Sequence, residues 1–311
     1  MLSTRPFECP PWLLARAQDL PPLATAIVNA GTRLTMESAR AAAEHALIKP
    51  VFVGEPTAIR AAAAEIKWDI HDFDIVEAGD ESAAAMEGVA LARRGKVAAL
   101  MKGHVHTDVL MQAVLHRSKG VRLRRRPSHV FCMTVAGQEK PLFITDAVIN
   151  VAPKVRQKID IAANAAGLLH ALGNPQPRIA LLSATELARP QLPSSMEAAE
   201  VAERARNGAL PGAIVDGPMS FDIAISAQAA KIKNFNSPVA GNADVLLVPN
   251  VEAGNMLFKQ MVYFMSATAA GLVVGARVPV TLTSRADPPE ARLASAALAS
   301  IYADAVTNSE K

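Results

Sequence analysis

The sequence predicts an α/β fold, a parallel-type sheet covered by helices, and three observations predict it. Short apolar runs rich in β-branched residues alternate with longer Ala-rich stretches along most of the chain. Half of the 311 residues are hydrophobic but only 4% are aromatic, so the core must be built from Ala, Val, Leu and Ile. That suits small-residue helices packed on a sheet buried on both faces. The length exceeds that of a typical single domain, which leaves one large α/β unit or two packed subdomains.

Nine strand segments are expected in order. Residues 50–53, 73–77 and 97–101 are short apolar runs, each preceding or following an Ala-rich stretch, and 129–135 and 142–144 are rich in Val, Phe and Ile. Residues 179–182, 213–215 and 245–248 are continuous apolar runs, as buried parallel strands require, and 272–282 forms the last strand in one or two pieces. Between them, residues 35–47, 81–93, 154–172 and 195–206 are rich in Ala, Glu, Arg and Leu and predict helices. The Pro- and Gly-rich points at 173–177, 190–193 and 211–217 predict turns, and no internal repeat or low-complexity tract is visible.

Composition narrows the function. A net charge of +3 lacks the concentrated basic face of a nucleic-acid binder. The one basic run, Arg122 with Arg124, Arg125 and Arg126, fits a solvated loop or an anion contact. Cys9 and Cys132 cannot make a disulfide framework, and neither has a CxxC partner or a histidine at metal-ligand spacing. Residues 1–30 lack the features of a secretion signal and no run of 18 apolar residues occurs, so a soluble protein of the reducing cytoplasm is expected, without membrane or nucleic-acid partners.

Ligands of open α/β sheets bind beyond the carboxyl ends of the strands, so the residues after each strand carry the functional reading. After 97–101 comes Lys102-Gly103-His104-Val105-His106-Thr107-Asp108. A lysine beside glycine at a helix start binds phosphate through charge and backbone N–H groups. An ordinary helix start, capped by Thr107 or Asp108 with surface histidines, explains the same letters. No HExxH pattern points to zinc, and no metal site is expected. Thr145 and Asp146 end another strand, with Asn150 and Pro153 beyond, where an Asx turn is the plain alternative. Asp216 follows 213–215, before Gly217-Pro218. Gly254 and Asn255 precede an expected helix at 256–263, either letting its N-terminus approach an anion or supplying Asn255 as its cap.

The sharpest element runs from Val280 through Thr283-Ser284-Arg285-Ala286-Asp287 to Glu290. Asp287 as N-cap, Pro288 as first helical residue and Glu290 as the third give both acids a structural role. Ser284 and Arg285 are left over: arginine offers a fork matched to phosphate oxygens, and a strand-end serine can hydrogen-bond a reacting thiol or oxyanion. There is no GxxxxGK[ST] loop, no GxGxxG after the first strand and no GxSxG elbow.

These segments resemble, in order along almost the whole chain, the phosphate acetyltransferase and phosphate butyryltransferase family. The residues that carry the resemblance are Leu100-Met101-Lys102-Gly103 with Thr107; Ser128-His129-Val130; Thr145-Asp146-Ala147 with Asn150 and Pro153; Val215-Asp216-Gly217-Pro218; Ser237-Pro238-Val239-Ala240-Gly241-Asn242-Ala243-Asp244; Val248-Pro249; Glu252-Ala253-Gly254-Asn255-Met256; and Thr283-Ser284-Arg285-Ala286-Asp287. The resemblance implies an isocitrate-dehydrogenase-like α/β fold of two subdomains, roughly 1–127 with 268–311 and 128–267, with the active site in the cleft between them. It implies reversible conversion of a short-chain acyl-CoA and inorganic phosphate to acyl phosphate and CoA through a ternary complex. No tightly bound cofactor, metal or acyl-enzyme is implied, and a homodimer or larger homo-oligomer is. The family's Ser-Arg pair falls on Ser284 and Arg285, with serine assisting the thiol or thioester and arginine holding phosphate. Lys102, His104, Thr107, Ser128, His129, Thr145, Asp146, Asn150, Asp216, Gly254 and Asn255 are the implied substrate-binding candidates.

Two departures from the acetyl-specific branch stand out. Where that branch has an acidic residue in the helix after the Ser-Arg pair, this chain has Glu290 and then Ala291, so Glu290 is either a substitute thiol base or a helix cap. Where it has an arginine after the His-Thr motif, this chain reads Val109 to Leu115 with Met111. The Met-Lys-Gly and Thr-Ser-Arg-Ala-Asp segments look closer to the butyryl-type branch. Two alternatives are a metal-dependent decarboxylating dehydrogenase of the same fold, with Asp216, Asp222 and Asp244 as magnesium ligands, and a non-catalytic acyl-CoA or phosphate sensor.

Overall fold

The computed structural model describes residues 2–284 and 286–309. Its contacts divide the chain into two units, one of residues 7–125 with the segment from 270 onward, the other of the residues up to 6 with 126–269. In chain order the first unit carries α1 (Pro11–Gln18), β1 (Leu23–Val28), α2 (Arg33–Glu44), β2 (Ile48–Gly54), α3 (Pro56–Glu65), β3 (Ile75–Glu77), α4 (Glu81–Arg93), β4 (Ala99–Lys102) and α5 (Thr107–Leu115). The second carries β5 (Ser128–Thr134), β6 (Leu142–Thr145), α6 (Val155–Ala171), β7 (Arg178–Leu182), α7 (Pro193–Arg204), β8 (Ile214–Met219), α8 (Phe221–Ile225), α9 (Ala227–Ile232), β9 (Val245–Leu247) and α10 (Val251–Met265). The chain returns to the first unit through β10 (Thr268–Val274), β11 (Val280–Thr281) and α11 (Pro289–Ser309).

Strand order in the first unit is β3-β2-β1-β4-β11-β10, parallel except for the β10–β11 pair. In the second it is β5-β6-β9-β7-β8, parallel except for β5–β6. The class is α/β, as the alternation predicts. Each unit contains a small aromatic cluster. Phe52 meets Trp68 and Phe73 edge-on at 5.5 and 6.0 Å in the first, and Phe131 stacks on Phe258 at 4.2 Å in the second. Elsewhere the core is aliphatic and Ala-rich, Ala84, Ala85, Ala165 and Ala297 among it.

The differences from expectation have local causes. β1 lies between β2 and β4, with Ala26, Ile27 and Val28 fully buried, yet it was not among the expected strands. Its run is only six residues, two of them Ala, and the adjoining prolines mask it. β8 continues through Gly217-Pro218, where a turn was expected; it is the edge strand, where a missing N–H leaves no ladder bond unmade. Helix α4 starts and ends where expected because Asp80 caps it, accepting from Ala83 N–H at 2.7 Å.

Candidate active site

Strand register builds the site. β11 runs parallel to β4, with Val280 opposite Leu100 and Thr281 opposite Met101, so the segment after β11 leaves the sheet beside Lys102 and Gly103. Gly103 N–H donates to the Val28 carbonyl at 2.9 Å and His104 N–H to the Asn29 carbonyl at 3.0 Å, fastening the end of β4 over the end of β1. A Cβ at Gly103 would stand 2.4 Å from the Val28 oxygen, so only glycine permits this approach.

A pocket of about 250 Å³ opens here, and all of its described lining belongs to the first unit. β4 and its extension contribute Met101, Lys102, Gly103 and His104, and the segment after β11 contributes Thr283 and Ser284. The start of α2 contributes Thr32, Leu34, Thr35 and Ser38, and α11 contributes Arg292. Two cations, five hydroxyls and the first turn of a twelve-residue helix thus face one space, a combination suited to an anionic ligand. Thr32 and Thr35 hydroxyls bond each other at 2.9 Å. Ser284 is exposed; its N–H donates to the Asp287 carboxylate at 2.6 Å and its Oγ accepts from Ala286 N–H at 3.3 Å. Arg285 lies outside the described residues.

The structure corrects the reading of the acids that follow. Helix α11 begins at Pro289 rather than Pro288, and the Asp287 carboxylate turns back to Ser284 N–H at the end of the strand segment. Glu290 is therefore in the first turn but forms no capping box with Asp287, and it is not among the residues lining the pocket. Its charge reaches Cys9, whose thiol is pushed up to about 11 chiefly by burial and then by Glu290.

Thr107 opens α5 half-buried and outside the pocket lining. Neither Thr107 nor Asp108 caps the helix. His106 occupies the cap position, and Glu81 of α4 accepts from its N–H at 3.0 Å and meets its ring Nδ1 at 2.9 Å. Those bonds hold the Glu81 carboxyl below its ordinary range.

Five further candidates assemble in the second unit as a buried network. Asp146, at the end of β6, accepts from Val148 and Ile149 N–H, both at 2.9 Å, from His129 N–H at 3.1 Å and from Asn150 Nδ2 at 2.6 Å. Burial pushes its carboxyl up, and these four bonds pull it back. Asn150 also donates to the Pro127 carbonyl and accepts from Arg126 Nε, while Asn164 donates to Ser128 Oγ and Thr145 Oγ1 to the His129 carbonyl. The His129 ring is fully buried against Phe131, its centroid 4.3 Å away, and neither ring nitrogen has a partner among the described residues; desolvation pulls its pKa down to about 3.

Asp216, Gly254 and Asn255 lie outside the described lining of the pocket. Asp216 on edge strand β8 accepts from Gly217 N–H and pairs with Arg206 at 3.4 Å. Asp222 pairs with Lys233 and Asp244 accepts from Arg178 N–H, so the three aspartates have separate partners. Among the described residues no group of three or more His, Cys, Asp or Glu could hold a metal ion. Helix α10 begins at Val251, five residues earlier than expected: Asn250 caps it, accepting from Ala253 N–H at 2.9 Å, and Gly254 and Asn255 are interior. Gly254 serves packing, since a Cβ there would lie 2.8 Å from Val248 Cγ2 and 2.9 Å from Ala147 Cβ. Among the described residues no helix is long and apolar enough to cross a membrane.

Arg292, Thr32, Thr35 and Ser38 were not expected at the site. The signals available were faint: a threonine-rich start to α2, and an arginine in the first turn after the Pro-Pro-Glu helix start.

Comparison with known proteins bears on this geometry. A family model described as phosphate acetyl/butaryl transferase matches residues 80–300. A phosphate acetyltransferase of Rhizobium meliloti is 46% identical over 291 residues, covering 94% of this chain and 92% of that protein. A phosphate butyryltransferase of Clostridium acetobutylicum is 36% identical over 278 residues, covering 89% of this chain and 92% of that protein. The crystal structure of a branched-chain phosphotransacylase from Enterococcus faecalis matches with a TM-score of 0.78 and 31% identity, over 90% of this chain and 99% of that one.

Proposed function

The chain belongs to the phosphate acetyl/butyryl transferase family, and from that premise we propose that the pocket framed by Lys102, Gly103 and Ser284 is where its acyl transfer takes place. The enzyme interconverts acyl-CoA plus inorganic phosphate with acyl phosphate plus CoA. In the forward direction a phosphate oxygen attacks the thioester carbonyl carbon. The new C–O bond forms, the C–S bond breaks, and the CoA sulfur leaves as thiolate and takes up a proton.

The observation that carries the assignment is the β4–β11 register, which brings Lys102 and Ser284 into one pocket from segments 182 residues apart in sequence (284 − 102). Lys102 supplies positive charge for phosphate and for the oxyanion of the addition step. The Ser284 Oγ already accepts a hydrogen bond, so its hydroxyl proton is available to donate to the leaving sulfur or the carbonyl oxygen. The family pattern gives Arg285 the role of holding phosphate through its fork. A homodimer or larger assembly, a cytoplasmic location and operation without a tightly bound cofactor belong to the same reading.

The acyl group in this reading is short. Butyryl-type segments occur in a chain with higher identity to the acetyl-named relative than to the butyryl-named one. A thiol-release assay with phosphate and acyl-CoAs from acetyl to hexanoyl tests activity and chain length together. Butyryl-CoA is expected to react at least as well as acetyl-CoA, since each methylene buried adds about 0.8 kcal/mol. Lys102→Met, which keeps the stem and removes the charge, is expected to lower kcat/KM about a hundredfold. Unchanged kinetics in the folded variant would remove this pocket as the site.

A further inference from the structure

We propose that Arg292 is a positioning residue for the acyl transfer, acting through Ser284; the inference rests on the reading of this pocket as the reaction site. Arg292 stands in the first turn of α11 and reaches two separate walls of the pocket. One guanidinium nitrogen donates to Ser38 Oγ on α2 at 3.2 Å, the other to the backbone carbonyl of Asp287 at 2.5 Å. The Asp287 carboxylate in turn accepts from Ser284 N–H at 2.6 Å, and Asp287 N–H donates to the Ser284 carbonyl at 3.2 Å. A single planar fork therefore ties the exposed Ser284 segment to helix α2.

Packing alone does not account for an arginine here. Desolvation pulls its pKa down, against the opposing charges of Asp287, Glu37 and Glu290, and its buried Nε has no partner among the described residues. Such a cost is met by a group that must reach two acceptors on different elements with fixed angles, which arginine does and lysine, with one compact ammonium, does not. The segment it holds needs that support. Its bonds between described residues include the short Ser284 N–H to Asp287 carboxylate contact and the 3.3 Å contact from Ala286 N–H to Ser284 Oγ, and a serine that must meet a reacting sulfur tolerates little displacement.

The test is a kinetic cycle of Arg292→Gln, Ser284→Ala and the double variant in the thiol-release assay, after circular dichroism and thermal melts establish folding. Arg292→Gln is expected to lower kcat about a hundredfold, far more than it raises KM for acyl-CoA or phosphate. In the double variant the losses should not multiply: with Ser284 gone, losing Arg292 should cost less than about threefold more. Arg292→Lys should recover part of the rate, and it replaces the glutamine variant in the cycle if that one fails to fold. Multiplied losses, or a kcat for Arg292→Gln near wild type, would overturn the role of Arg292 while leaving an impaired Ser284→Ala as support for the pocket. Wild-type turnover in Ser284→Ala would remove the pocket reading and the inference with it.

Discussion

The segment after β11 and the segment after β6 begin alike in sequence, each a short apolar strand ending in Thr and then a polar cluster with an aspartate, and they end as opposites. After β6, Asp146 is 2% exposed and its carboxylate accepts from four donors, so the chain itself satisfies that charge. After β11, Ser284 remains exposed beside Lys102, with Asp287 holding its backbone and no acceptor for its hydroxyl proton among the described residues. A polar strand end is structural where its own chain surrounds the carboxylate with donors, and a candidate site where its polar groups face a pocket.

The sharpest way to break the comparison is Asp146→Ala. It leaves two buried and two half-buried donors without that acceptor, at about 1–3 kcal/mol for each buried one, so a loss of roughly 3–5 kcal/mol is expected. Urea denaturation measures it, and a loss below about 1 kcal/mol would show that these bonds do not hold in solution. Ser284→Ala should do the reverse. Its melting curve should match the wild type while kcat falls about a hundredfold, some 2.7 kcal/mol of barrier.

Gly254→Ala extends the test to the helix behind this strand end. The added methyl meets Val248 and Ala147 inside van der Waals distance, and a loss of about 1–3 kcal/mol in stability without a change in KM is expected. A rise in KM for phosphate at unchanged stability would return Gly254 to the ligand-binding role suggested by the sequence.

His129 gives the two regions different pH behaviour. Its folded pKa of about 3 lies below the ordinary 6.5, so between those values the unfolded chain binds the proton and the folded chain does not. Its contribution is complete above pH 6.5 and is lost as pH falls from there toward 3, at up to roughly 1.4 kcal/mol per pH unit. Asp146, pushed up by burial, acts oppositely at the acid end, because its protonation favours the folded state. His129→Phe should flatten the decline in stability between pH 6.5 and 4.5, measured by urea midpoints. An unchanged slope would mean that the ring is solvated.

The smallest effect belongs to Glu290→Gln. In the first turn of α11 its charge favours the helix dipole, worth about 0.3–1 kcal/mol, and turnover should stay within about twofold because the carboxylate does not line the pocket. A large loss of kcat with an altered pH profile would reinstate Glu290 as the thiol base.

The alternation of apolar and Ala-rich segments was enough to predict the α/β class and nearly every strand, because hydrophobic periodicity is a local property that the chain carries with it. Helix α4 was legible to the residue for the same reason, its cap being Asp80 itself. Lys102 and Ser284 were likewise legible as polar residues at strand ends, and their shared pocket was not. That depends on β4 and β11 pairing in one register, a contact between distant segments. The same dependence hid Arg292, whose partners Ser38 and Asp287 lie on different elements, and half-hid Asp146: its bonds from Val148 and Ile149 N–H are the Asx turn the sequence offered, but the bond from His129 N–H comes from another strand. Sequence by itself determined which residues were polar and where strands ended. Only the tertiary structure decided which of those ends were saturated and which were left to bind, because the satisfaction of a polar group is a property of everything folded around it.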